Sequence, residues 1–63
     1  MDNINIHGSA KLYINRYGAD ASVRAAMTAE AMLASGDLKG FNAWMRIGWA
    51  IEDLQATAGK TTL

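Results

Sequence analysis

Hydrophobic residues recur along most of this chain at the three- and four-residue spacing of an amphipathic helix. In the first segment, five apolar residues share an arc of about 100° on a helical wheel, while Lys11 and Arg16 point elsewhere. The five residues of that arc are Ile6, Ala10, Tyr13, Ile14 and Tyr17. The pattern predicts a first helix that buries one face, with Leu12 as an exposed exception.

Two glycines divide the chain into three helical segments. Gly18 and Gly36 each follow a helical pattern and can adopt the left-handed conformation that ends a helix. Asp20 and Asp37 follow them closely, and an aspartate before a helix can accept hydrogen bonds from its free amides. We therefore expect both aspartates to act as N-caps. The three predicted helices span residues 4–17, 20–35 and 37–57.

The third predicted helix carries more apolar surface than one docking face requires, because its apolar residues cover an arc of about 220°. One half of the arc holds Trp44, Ile47, Ile51 and Leu54, and we expect this half, including Trp44, to face the core. The other half holds Leu38, Phe41, Met45 and Trp49, with Glu52 projecting among them. In the second helix, one face holds Ala25, Ala26, Ala29, Met32 and Leu33, and another holds Val23 and Met27.

These patterns predict an all-α fold, a compact three-helix bundle whose C-terminal helix is the longest. We expect a single domain over residues 1–58 and a flexible tail over 59–63, with a helix-turn-helix pair as the alternative topology. Gly48 lies in mid-helix, where glycine costs about 1 kcal/mol relative to alanine. Close approach of another helix to Gly48 would explain its presence, and Gly40 admits the same explanation less strongly.

A small domain often needs a disulfide, a metal or a partner to be stable. The chain has no cysteine and one histidine, which excludes a disulfide and disfavours a zinc site. Association with another chain is therefore the favoured additional source of stability. We therefore expect an interface on the second half of the third helix's arc. The predicted interface residues are Leu38, Met45 and Trp49, together with Val23 and Met27.

The charge balance argues against a nucleic-acid partner, because six Lys and Arg residues offset six Asp and Glu residues. No apolar run approaches the roughly 20 residues that a membrane-spanning helix needs. The N-terminal sequence also lacks the basic and apolar regions of a secretion signal. These features predict a cytoplasmic protein without a membrane span.

No set of residues assembles an acid, a base, a nucleophile or a metal site, so we expect no enzyme, no catalytic residue and no cofactor. His7 has no plausible catalytic partner. Glu52 and Asp53 diverge by about 100° on a helix and cannot share one ligand. The segment Gly59-Lys60-Thr61-Thr62 resembles the end of a phosphate-binding loop, but the earlier glycine of that motif is replaced by Leu54.

Three blocks of sequence stand out between Ala10 and Gln55. The first block is Ile14-Asn15-Arg16-Tyr17-Gly18-Ala19-Asp20-Ala21, the second is Leu33-Ala34-Ser35-Gly36-Asp37-Leu38-Lys39-Gly40, and the third is Trp44-Met45-Arg46-Ile47 with Ala50-Ile51-Glu52-Asp53-Leu54. In their order and spacing, these blocks resemble a family of short, uncharacterised bacterial proteins found mostly among alphaproteobacteria. The resemblance covers about three quarters of the chain. It implies a helical unit and carries over no activity, cofactor or catalytic residue.

The function that these observations favour is protein–protein interaction, as an accessory subunit, a regulator or an inhibitor. We also expect the protein to self-associate as a homodimer. Trp49 and Met45 would dock on the partner, since tryptophan is enriched at interface hot spots and methionine adapts to its surroundings. For Trp49, a position in the core is the alternative. The alternative is a small helix-turn-helix-like DNA-binding regulator, suggested by the tight turn that Gly36 and Gly40 bracket.

Overall fold

The described part of the chain is helical almost throughout. The computed structural model describes the backbone of residues 5–60 and the side chains of residues 5–57. Helix α1 spans Ile6–Tyr17, a 3₁₀ turn spans Gly18–Asp20, α2 spans Ala21–Ala34 and α3 spans Leu38–Lys60. No strand occurs within residues 5–60. The all-α class is confirmed, and α3, with 23 residues, is the longest helix.

The ends of the chain differ from the predicted boundaries. Helix α1 begins at Ile6, two residues later than predicted, and residues 1–4 lie outside the described residues. Helix α3 continues to Lys60, past the predicted end at residue 57 and over the first two residues of the predicted tail. Residues 54–58 include two alanines and no proline, and the helix continues through Gly59, where a helix often ends. The rest of the predicted tail, residues 61–63, lies outside the described residues.

Helix α1 begins and ends at residues with clear capping geometry. Asn5 has extended backbone angles, and its Oδ1 accepts a hydrogen bond of 2.8 Å from the Gly8 amide. This N-cap was not predicted, although asparagine is among the preferred capping residues. At the other end, Gly18 has a φ of +57° and its amide donates to the carbonyl of Ile14. The prediction that Gly18 ends the first helix is confirmed.

The connection between α2 and α3 combines a helix stop with a helix start. Gly36 has a φ of +81°, and its amide donates to Leu33 while the Asp37 amide donates to Met32, at 3.0 and 2.8 Å. This pair of bonds is the Schellman motif. Asp37 Oδ1 then accepts from the Gly40 amide at 2.9 Å. Both predictions at this turn are confirmed: Gly36 ends α2 and Asp37 caps α3.

The prediction that Asp20 caps α2 is wrong. Its side chain makes no capping hydrogen bond, and its φ of −89° and ψ of 3° lie outside the extended region that an N-cap uses. The reason is the 3₁₀ turn of Gly18–Asp20, which leads into α2 without an extended residue between them. The carboxylate of Asp20 is therefore not aimed at the free amides of α2.

The core is small and, among the described side chains, is formed by six buried residues from all three helices. They are Ala10 of α1, Ala21, Ala25 and Ala29 of α2, and Ile47 and Ile51 of α3. Around the core lie half-buried side chains, namely Ile6, Tyr13, Ile14, Tyr17, Trp44, Ala50 and Leu54. The predicted apolar arc of α1 and the first half of the α3 arc are thus confirmed. In α2, Ala25 and Ala29 of the first predicted face are buried together with Ala21, whereas Ala26 and Leu33 are exposed.

Helices α2 and α3 lie side by side and run antiparallel. A methyl group at Gly48 would lie 3.8 Å from the Cβ of Ala25, and one at Gly40 would lie 3.0 Å from the sulfur of Met32. Ala25 and Gly48 are each about ten residues from the connecting turn, which is about 15 Å of helix. Helices that crossed at about 90°, as in a helix-turn-helix pair, would be about 20 Å apart at those points. The contact at Gly48 therefore indicates an antiparallel pair.

Replacing Gly48 by alanine is expected to stabilise the fold by about 0.5–1 kcal/mol. The added methyl group would make ordinary van der Waals contact with Ala25, and the helix would lose its most flexible residue. Urea denaturation followed by circular dichroism measures the change at matched protein concentration. Gly36→Ala is the control, since its φ of +81° makes the same substitution unfavourable there. A loss of stability in Gly48→Ala would contradict this packing.

Replacing Asp37 by alanine is expected to destabilise the fold by about 1 kcal/mol, because the Gly40 amide loses its acceptor. Asp20→Ala is the matched control and is expected to change stability by less than about 0.5 kcal/mol, since that carboxylate makes no capping bond. The same urea titration compares the two variants. Equal losses from both would show that the capping geometry does not account for the effect.

Candidate interaction surface

Several large apolar side chains are exposed even though the core is small. The exposed set comprises Leu12, Val23, Met27, Leu33, Leu38 and Trp49. Leu38 at 62% and Trp49 at 60% are the most exposed of them. An exposed tryptophan leaves a large apolar area in contact with water. The surface around Trp49 is therefore the first candidate for a binding surface.

On α3, the exposed apolar residues line up on one side. Leu38, Met45 and Trp49 are seven and four positions apart, which places them within an arc of about 40°. This arc lies opposite Ile47 and Ile51, which face the core. Met45 is half-buried and the other two are exposed. We refer to Leu38, Met45 and Trp49 as the outer strip of α3.

The other two predicted interface residues lie on a different surface. Val23 at 57% and Met27 at 56% are both exposed. On the wheel of α2 they fall about 160° from Ala25, the residue that packs against Gly48 of α3. They therefore face away from α3. The structure brings three of the five predicted residues together and separates Val23 and Met27 from them.

Charged residues flank the outer strip in an ordered way. Lys39 and Arg46 lie alongside it, whereas Glu52 and Asp53 lie just beyond its C-terminal residue, Trp49. All four are exposed. Between Leu38 and Asp53, the exposed side of α3 thus carries its basic residues first and its acidic residues after them. The sequence shows these charges, but their common side becomes clear only when the core-facing residues of α3 are known.

An aromatic cluster covers the core between α1 and α3. The ring of Tyr13 lies 5.1 Å from that of Tyr17, edge to face, and 5.0 Å from that of Trp44. The prediction that Trp44 belongs to the core is confirmed by this packing. Arg24 of α2 lies over the Tyr17 ring, 5.0 Å from its centroid. Tyr13, Tyr17, Arg24 and Met27 also line an open groove of about 280 Å³ between α1 and α2.

The side chains considered for catalysis are not assembled into a site. His7 lies exposed on α1, and Glu52 and Asp53 are exposed on α3. Among the described residues, no three His, Cys, Asp or Glu side chains cluster closely enough to hold a metal ion. In the segment that resembles a phosphate-binding loop, residues 59 and 60 belong to α3, and 61 and 62 lie outside the described residues.

Within residues 5–60, none of the helices has both the length and the apolar character that crossing a membrane requires.

A polar contact joins the C-terminal third of α3 to the turn after α1. The Gln55 side-chain amide donates a hydrogen bond of 3.0 Å to the carbonyl of Gly18. This bond holds α3 against the turn between α1 and α2.

No family model, curated protein or solved structure matches this chain.

Proposed function

We propose that this chain is a protein-interaction module that works by apolar docking of α3 on another protein surface, as an accessory subunit, a regulator or an inhibitor. The observation that carries the proposal is the exposure of Trp49, on the side of α3 opposite the core. In this proposal the three helices form a compact bundle, and the outer strip is its working surface. The protein would act in the bacterial cytoplasm, as the sequence features and the family resemblance suggest.

Burial of Trp49 against a partner would contribute a large binding free energy for a single residue. Covering its exposed part would remove roughly 100–150 Å² of apolar area from water, worth roughly 2–4 kcal/mol. Leu38 and Met45 extend the same surface along α3. A centre of this kind, with charged residues around it, is typical of interface hot spots. The neighbouring charges would orient the partner more than they would add affinity.

The antiparallel arrangement of α2 and α3 disfavours the alternative of a DNA-binding regulator. A recognition helix projects from its partner helix into the major groove. Here α3 packs along α2, and its exposed side mixes apolar, basic and acidic residues. Such a surface offers phosphates little net attraction. Salt-sensitive binding to random duplex DNA, measured by fluorescence anisotropy, would favour the regulator instead.

Trp49→Ala is expected to abolish specific partner binding while the protein stays folded, because the side chain contributes little to the core. Quantitative mass spectrometry of proteins retained by the immobilised chain, from lysate of its own cell type, measures the loss. Far-UV circular dichroism checks the fold of each variant.

Leu12→Ala is the matched control for this experiment. Leu12 is an exposed apolar residue, at 57%, but it lies on α1, away from the outer strip. This variant should retain the same proteins as the wild type. Equal retention by wild type, Leu12→Ala and Trp49→Ala would rule out the outer strip as the binding surface.

A further inference from the structure

The exposed side of α3 has the repeat of a two-stranded helical seam. Six residues follow one another at alternating spacings of four and three, within an arc of about 80°. They are Leu38, Asn42, Met45, Trp49, Glu52 and Ala56, and we call them the α3 seam. All except the half-buried Met45 are exposed. The seam extends about 27 Å along the helix, which is long enough for a continuous helix–helix contact.

The charges beside the seam select one orientation for a second copy of the same helix. Lys39 and Arg46 accompany its N-terminal half, and Asp53 follows on the same side near its C-terminal end. In two parallel copies, this charged flank of one helix would face the uncharged opposite flank of the other, so no attractive charged pair would form. Two antiparallel copies would place Lys39 of one chain beside Asp53 of the other, twice in the pair. Antiparallel packing is also favoured weakly by the opposed helix dipoles.

We propose that the partner of the outer strip is a second copy of this chain, with the two α3 helices packed antiparallel. The two-fold axis would cross the seam at the level of residue 47, midway between Met45 and Trp49. This inference rests on the proposed function and adds the identity of the partner. In this register the seam residues pair with each other at equal distances from the axis. Trp49 meets Met45 of the other chain, and a thioether against an aromatic ring is a favourable contact.

The outer pairs of the seam match as well. Asn42 meets Glu52, where the amide can donate a hydrogen bond to the carboxylate. Leu38 meets Ala56, so a large side chain packs against a small one. A symmetric interface must be complementary to itself, because the same residues meet on both sides of the axis. The α3 seam satisfies this condition in size, polarity and charge, which is the reason for choosing a second copy over an unrelated protein.

The charged pairs are tested by exchanging their signs. Lys39→Glu and Asp53→Lys, each alone, place like charges together twice and are expected to weaken self-association roughly tenfold. The double variant restores both attractive pairs and should self-associate like the wild type. Sedimentation velocity at low salt, over micromolar to millimolar concentrations, gives the dissociation constants.

Mixing the two single variants tests the antiparallel register directly. In the mixed dimer, position 39 of the Lys39→Glu chain, now acidic, would lie beside position 53 of the Asp53→Lys chain, now basic. The unchanged Asp53 and Lys39 would form the second attractive pair. A tagged Lys39→Glu chain should therefore co-purify untagged Asp53→Lys more strongly than it co-purifies its own untagged form. No preference for the mixed pair, or a wild-type chain that stays monomeric throughout, would overturn the inference.

Failure of this inference is distinguishable from failure of the proposed function. A monomeric chain that still captures another protein through Trp49 would overturn the second-copy partner and leave the interaction module standing. A chain in which Trp49→Ala changes neither self-association nor capture would overturn both. Self-association that Trp49→Ala abolishes and the charge exchanges modulate as described would support both.

Arg46 provides a separate test, because the proposed register brings the two Arg46 side chains near the axis, about 3 Å apart along the helix direction. Like charges at that distance oppose association. Arg46→Ala is expected to tighten the dimer several-fold at low salt, with a smaller effect at high salt. Arg16→Ala, an exposed arginine on α1, is the control and should leave the dissociation constant unchanged. Weaker association of Arg46→Ala would count against the register.

Discussion

The contact between the small residues of α2 and the core face of α3 is the constraint on which the rest of this fold depends. Ala21, Ala25 and Ala29 are fully buried, and Ala25 lies within reach of Gly48. Because these side chains are small, α2 can lie close along α3. The two large buried side chains, Ile47 and Ile51, then supply most of the apolar volume of the core.

A core of this size leaves one side of α3 uncovered. Helices α1 and α2 both pack on the side of α3 that carries Ile47 and Ile51, and the aromatic residues Tyr13 and Trp44 close the edge of that side. Nothing in the described chain covers Leu38 or Trp49, which remain more than half exposed. The outer strip is thus a consequence of geometry: two short helices cannot surround a third helix that is about 34 Å long.

Local signals in the sequence predicted the turns well where a single residue determines the backbone. Gly36 and Asp37 form a stop and a start through bonds within six residues, so their sequence contained the needed information. Asp20 looked equivalent, but the 3₁₀ turn before it removes the extended conformation that capping needs. That turn depends on how α1 and α2 pack, which residue identity alone does not determine.

The sequence also predicted the buried faces of some helices better than those of others. In α3 and α1, large apolar residues contrast with charged ones, so the core faces followed from the spacing. The spacing left Trp49 open between core and interface, and the structure shows that it is exposed. In α2, alanine occurs on every side and gives no such contrast, so the spacing did not indicate that Ala21 is buried and Ala26 is exposed. The separation of Val23 and Met27 from the outer strip likewise required the antiparallel packing of α2 on α3.

The exposed and buried sides of α3 are energetically connected because they belong to one helix. A small domain has little stability to spare, and binding of a partner to the folded state stabilises that state by mass action. A partner on the outer strip would hold α3 from the side opposite Ile47 and Ile51, and so would favour the helix on which the core is built. Docking at Trp49 would then support the contact between Ala25 and Gly48 on the other side of the same helix, without any rearrangement of α1 or α2.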